Sequence, residues 1–246
     1  VGVDVGFDDA GVLLPSNLKD TTDLEQVTHE FRVASNSGEV VDWVAGVFYS
    51  DVEREYNQRL PTPGHDDATI RSGALGDTHP SETMNGFPGP DSPYNASLPY
   101  DIEQLAVFGE ATWHATERLH LTLGGRWYDF EEERTFHSGG WFSNGDFSVD
   151  ETESDGFNPR VMASYDISDD MTINAQASQG FRLGGVNDPL NASLCEGSDL
   201  ETFGSFQDYD DETLWNYELG FKSMFEKVQF NAAIFYTDIE DLQTTL

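Results

Sequence analysis

The chain is predicted to be all-β, an antiparallel up-and-down transmembrane β-barrel segment of about eight strands. Three observations predict it. Segments of alternating apolar and polar residues recur along the chain. Tight connections (35–41, 115–118, 167–170 and 225–227) alternate with long polar stretches (51–101, 130–156 and 183–213). Tryptophans fall near strand ends, where the membrane interface would lie. A bacterial outer-membrane barrel has this asymmetry because its periplasmic turns are short and its extracellular loops long. A soluble β-sandwich also has hairpins, but it has no reason to place every long loop on one side.

The first expected strand, 26–34, sets Val27, Phe31 and Val33 against Thr28, Glu30 and Arg32. The second, 42–50, is apolar on both faces, so its facing is ambiguous. In 102–114, Leu105, Val107, Gly109, Ala111 and Trp113 oppose Gln104, Glu110, Thr112 and His114. Strand 119–128 sets Leu119, Leu121, Leu123 and Trp127 against His120, Thr122, Arg126 and Tyr128. Strands 158–166 and 171–182 follow, with Val161, Ala163, Ile173 and Ala175 opposite Arg160, Ser164, Asn174 and Gln176. The last two, 214–224 and 228–238, place Trp215, Leu219, Phe230 and Ile234 opposite Asn216, Glu218, Lys222 and Asn231.

Strands of roughly 9 to 15 residues can cross a bilayer at a tilt of about 45°. Glu30, Arg32, Glu110, Arg126, Arg160, Glu218 and Lys222 share the polar faces. Facing lipid, each charge would cost about 2–4 kcal/mol at mid-depth. The polar face is therefore expected to be concave and wet, carrying Arg126, Arg160, Asn174 and Glu218. The convex face should carry Leu121, Trp127, Ile173, Leu219 and Ile234. The strands at either end, 26–34 and 228–238, should not pair with each other if the sheet belongs to a wider barrel.

Composition narrows the classes. No apolar run approaches the roughly 20 residues of a membrane helix. Net charge is −34, from 46 acidic and 12 basic residues. That excludes nucleic acid as partner, because phosphate contacts need a basic surface. The ordinary reading of the acidity is solvated loops. Cys195 is the only cysteine, so no disulfide within the chain follows. Asn95-Ala-Ser and Asn191-Ala-Ser are read as exposed loop.

Chemistry-bearing motifs are few. Asp208, Asp210, Asp211 and Glu212 form the densest acidic cluster; such oxygens could hold a hard cation such as Ca²⁺, but they lack calcium-loop glycine spacing and the ordinary reading is a solvated loop. Glu131, Glu132 and Glu133 read as a strand end above the membrane. His114 and His120 lie on one polar face across a turn; without a third ligand they read as hydrogen-bonding residues of the lumen. No nucleophile elbow, phosphate loop or zinc-protease motif occurs, so neither an enzyme nor a cofactor is expected.

Several segments resemble one family. Phe108-Gly-Glu-Ala-Thr-Trp113, Thr116-Glu-Arg-Leu119 and Leu123-Gly-Gly-Arg-Trp-Tyr128 are similar to a recurrent hairpin of TonB-dependent outer-membrane receptors. So are Asn158-Pro-Arg-Val161, Ser178-Gln-Gly-Phe-Arg-Leu-Gly-Gly-Val-Asn187, Leu214-Trp-Asn-Tyr-Glu-Leu-Gly-Phe-Lys222 and Asn231-Ala-Ala-Ile-Phe-Tyr-Thr-Asp238. The resemblance covers about 26 to 246. It implies a 22-stranded barrel in the bacterial outer membrane, closed by a plug domain and energised by the TonB complex. The implied cargo is an iron–siderophore complex, with cobalamin, haem and oligosaccharides as the family's other ligands. The chain reads as an internal part of such a barrel, an open curved sheet without its plug, so no ligand residue is carried over. Two alternatives stand beside it: a complete eight-stranded barrel with an anchor or adhesion role, and a secreted all-β glycan-binding domain.

Overall fold

The computed structural model describes residues 2–4, 13–35, 40–143, 147–187, 197–203, 208–225 and 227–244. In chain order the strands are β1 (Gly2–Asp4), β2 (Leu13–Pro15), β3 (Lys19–Ala34), β4 (Val41–Arg59), β5 (Asn95–His114) and β6 (Leu119–Gly139). They continue with β7 (Phe147–Ser168), β8 (Met171–Arg182), β9 (Gly185–Val186), β10 (Asp208–Tyr209), β11 (Glu212–Phe225) and β12 (Val228–Glu240). Helix α1 (His65–Ser72) and a 3₁₀ turn (Pro80–Glu82) lie between β4 and β5, and α2 (Gly197–Phe203) between β9 and β10.

Eight strands form one open antiparallel sheet in the order β12-β11-β8-β7-β6-β5-β4-β3. Every neighbour in the sheet follows in the chain, apart from the small β9–β10 pair inserted between β8 and β11. No crossover occurs among the described residues. The edge strands β3 and β12 do not pair with each other. A small barrel closed on itself needs that ladder, which sets aside the eight-stranded anchor.

The register sorts the side chains as the lipid cost requires. Leu121, Ala163, Ala175, Leu219 and Ile234 align across five strands on one face. Three residues along, Gly124, Arg160, Ser178, Asn216 and Thr237 align on the other. The apolar face is the bare one: Leu123 is 66% exposed and Ile234 70%, whereas Thr122, pointing the other way, is 4% exposed. In a soluble sandwich the apolar face would be the covered one, so the inverted pattern belongs to a wall bathed in hydrocarbon.

Two expected boundaries are corrected. The stretches 51–101 and 130–156 are not loops throughout. β4 continues to Arg59, β5 starts at Asn95, β6 runs to Gly139 and β7 starts at Phe147. Glu131, Glu132 and Glu133 lie inside β6 rather than at its end. The reason is visible in the register. On the outward face, Glu25, Glu53, Asp101, Glu133 and Glu151 align in one row, and Asp51, Glu103, Glu131 and Glu153 in the next. Beyond the apolar band the outward side chains meet water, so the alternation that marks a strand vanishes while the backbone ladder continues. The remaining stretch, 183–213, holds β9, α2, β10 and the start of β11.

The shortened β4–β5 loop has a packed base. Ala96, Leu98 and Phe136 form a small core with Tyr56, Tyr94 and Tyr100. His65 of α1 is 1% exposed and lies edge-on to Phe142, 6.0 Å between ring centres. Asn95 is 0% exposed, and its side chain reaches Ser92 and the Gly139 carbonyl. The Asn95 sequon is therefore a buried hinge of the loop, not exposed loop. Asn191 and Cys195 lie outside the described residues.

Candidate functional site

The site is the inner wall, the polar face of the sheet. Its polar groups stand in three bands. Nearest the long loops, Arg54, Tyr100, Arg134 and Asp150 align across β4 to β7. Arg54 lies 5.3 Å from the Tyr56 ring centre and 5.0 Å from that of Tyr100. Arg134 lies 5.5 Å from Tyr100 and 5.9 Å from Phe136. Arg134 is 4% exposed and donates to the Val186 carbonyl, so the segment after β8 covers it. Arg54, less covered, is the guanidinium of this row that a ligand can reach.

Glu132 stands one step below and is half-buried. Burial pushes its carboxyl above the usual range, and Arg134 and Arg54 pull it down by less. A raised acid pKa means the folded state holds the proton longer than the unfolded state. Stability therefore falls as pH rises from the ordinary carboxylate pKa toward the folded value. Glu132→Gln should match the wild type in acid and unfold at higher denaturant near neutrality. Urea midpoints in detergent at a series of pH values check this. A variant weaker at neutrality would show that the arginines outweigh the burial.

In the middle row, Arg160 Nη1 donates to Glu110 Oε2 at 2.6 Å and Nη2 to Gln176 Oε1 at 3.3 Å. Glu110 sits on β5 and Arg160 on β7, with Gly124 of β6 between them. A Cβ at position 124 would lie 3.1 Å from Glu110 Oε2, so the glycine gives the carboxylate its path. Arg126 caps the Phe48 ring at 5.1 Å. At the turn end, Asp42, His114, His120, Asp166 and Thr172 form a hydrogen-bonded chain.

The acidic cluster named from sequence is not gathered around one point. Asp211 accepts from Tyr128 Oη at 3.2 Å, from the Ser154 hydroxyl and from the Gly184 N–H at 2.6 Å. Glu212, 7% exposed, accepts from Arg182 at 2.7 Å and from the Gln243 N–H at 2.8 Å. Asp208 joins β10, and the Asp210 carbonyl accepts from Gln243. Asp211 and Glu212 thus pin the β8–β11 connection to the wall. No set of three or more metal-ligating side chains converges among the described residues. Sequence reasoning missed Arg54, Tyr56 and Tyr100 because they lay in a stretch read as loop. Their signal was the two-residue spacing of Arg54, Tyr56 and Gln58.

An apolar outward band, an ionic and aromatic inner wall, short turns at one end and packed loops at the other define a membrane-spanning barrel wall of the outer-membrane receptor class. The chain belongs to the TonB-dependent receptor β-barrel family, whose model, "TonB dependent receptor-like, beta-barrel", matches residues 4–246. Its place is the outer membrane. It is 25% identical over 226 residues to the pesticin receptor of Yersinia pestis, covering 82% of this chain and 32% of that protein. Among solved structures it resembles the ferric yersiniabactin uptake receptor of Yersinia pestis (TM-score 0.68, 21% identity, 93% of this chain and 30% of the other). It also resembles the alcaligin outer-membrane receptor of Bordetella pertussis (TM-score 0.55, 15% identity, 94% and 32%). The chain spans about a third of the length of the curated relatives it matches. These relatives are receptors, and the secreted-domain alternative falls with the family match.

Proposed function

We propose that the chain is wall and loop base of a TonB-energised uptake receptor for an anionic metal chelate, with a ferric siderophore as cargo. The single observation that carries this reading is the placement of the arginines. In a chain of net charge −34, Arg32, Arg54, Arg126, Arg134 and Arg160 all stand on the inner face, while the rows above the outward apolar band are carboxylates. Guanidiniums over tyrosine and phenylalanine rings suit a planar, negatively charged chelate, because they offer charge and a stacking surface together. The ferric yersiniabactin uptake receptor, among the similar solved structures, takes the same class of cargo. In this reading the plug domain, the TonB complex and outer-membrane lipid are the partners.

The test is radioiron uptake by cells whose own siderophore receptors are deleted and which carry the full-length gene. Uptake of one ferric siderophore from a panel should appear and should vanish without TonB. Arg54→Ala should raise the half-saturating concentration about tenfold, a loss on the order of 1.4 kcal/mol, within the range for a charged hydrogen bond or a desolvated cation–π contact. Uptake that ignores every ferric chelate while another nutrient is taken up would overturn the cargo.

A further inference from the structure

The row nearest the turns holds a cluster that chelate uptake does not use. His114 on β5 and His120 on β6 pair directly across the ladder. Their Nδ1 atoms face each other at 2.8 Å. Each outer nitrogen points at a carboxylate: His114 Nε2 at Asp42 Oδ2, 2.7 Å, and His120 Nε2 at Asp166 Oδ2, 3.3 Å. Asp166 is itself held by the Thr172 hydroxyl, which donates to Oδ1 at 2.7 Å. We propose that His114 and His120 bind a divalent transition-metal ion through their two Nδ1 atoms, on the lumen wall beside the periplasmic turns.

The outer partners of the two rings are those of metal ligands. A histidine that ligates a metal characteristically donates its second ring N–H to a carboxylate, which fixes tautomer and ring direction and raises basicity. Here each histidine has that partner on the adjoining strand, Asp42 on β4 and Asp166 on β7, and the two remaining ring nitrogens converge. In the ion-free state one Nδ1–H must donate to the other Nδ1, so a hydrogen occupies the ion's position. The entering ion displaces that proton to water. Two cis imidazole nitrogens at about 2.0 Å from a square-planar Cu²⁺ stand about 2.8 Å apart, the spacing the two Nδ1 atoms already have. The side chains are 27% and 28% exposed, which leaves the remaining coordination positions open to lumen water. Imidazole ligation without a thiolate favours Cu²⁺ over Ni²⁺ and Zn²⁺. This site is independent of the chelate-binding row and stands or falls separately from it.

The experiment uses the full-length receptor in detergent, stripped with EDTA and titrated with Cu²⁺. Electron paramagnetic resonance should reveal a centre with two nitrogen ligands, absent in the His114→Gln/His120→Gln double variant. Asp42→Asn should weaken it about 10–100-fold, the usual cost of losing an outer-shell carboxylate. Heat-modifiable migration on gels identifies folded protein. If the double variant does not fold, Asp166→Asn alone is to give a similar weakening. A two-nitrogen signal that survives the double variant, or an affinity unmoved by Asp42→Asn and Asp166→Asn, overturns the site.

Discussion

Leu123→Arg should destabilise the folded barrel by about 2–4 kcal/mol, the cost of a guanidinium at the bilayer midplane. Leu123 is 66% exposed on the outward face, midway between Leu119 and Trp127 along β6. In a soluble sheet an arginine at so exposed a position would be nearly neutral, so the substitution separates a lipid-facing wall from a water-facing one. Glu131→Arg is the matched control. It points the same way, four steps above, in a row of carboxylates, and should cost nothing or stabilise slightly by relieving repulsion from Glu103 and Glu153. Unfolding midpoints of the full-length protein in lipid vesicles measure both. Equal behaviour of the two variants would contradict the membrane band.

Gly139→Val should release the β4–β5 loop from the wall without unfolding the barrel. A Cβ at position 139 would stand 2.7 Å from the Met84 carbonyl carbon and 2.9 Å from Phe87 Cδ2, and it would meet the Met84 oxygen more closely still. The obstacle is largely backbone, so it cannot rotate away. Overpacking of this kind costs about 1–3 kcal/mol or more. The contacts at risk are the Gly140 N–H to Thr83 carbonyl bond at 2.8 Å and the Asn85 amide to Ser138 carbonyl bond at 2.9 Å. Limited proteolysis should cut the variant within 60–94 far faster than the wild type, while heat-modifiable migration stays. Unchanged protection of that stretch would mean that the loop is held elsewhere.

The lipid band was legible in the sequence because the bilayer imposes one rule on every strand that crosses it. A charge on the outward face is expensive, so Leu121, Trp127, Ile173, Leu219 and Ile234 and their polar alternates could be sorted without coordinates. The strand extensions above the band were not legible, since no such rule acts on Glu131 or Glu153 in water. Their place in the ladder is fixed by backbone hydrogen bonds, which leave no mark on residue type. For the same reason Arg54 and Tyr100 were hidden within an expected loop, and Asn95 passed for an exposed sequon.

The acidic run at 208–212 is divided by the fold, which gives its members separate partners, Tyr128 and Ser154 for Asp211 and Arg182 for Glu212. The sequence by itself determined the class of wall and its facing. Only the tertiary structure decided which side chains meet. Asp42 comes to His114 from 72 residues away, and Arg160 to Glu110 from 50. Such meetings depend on strand register, which a period of two constrains only to odd or even; the pairing of whole strands chooses the rest.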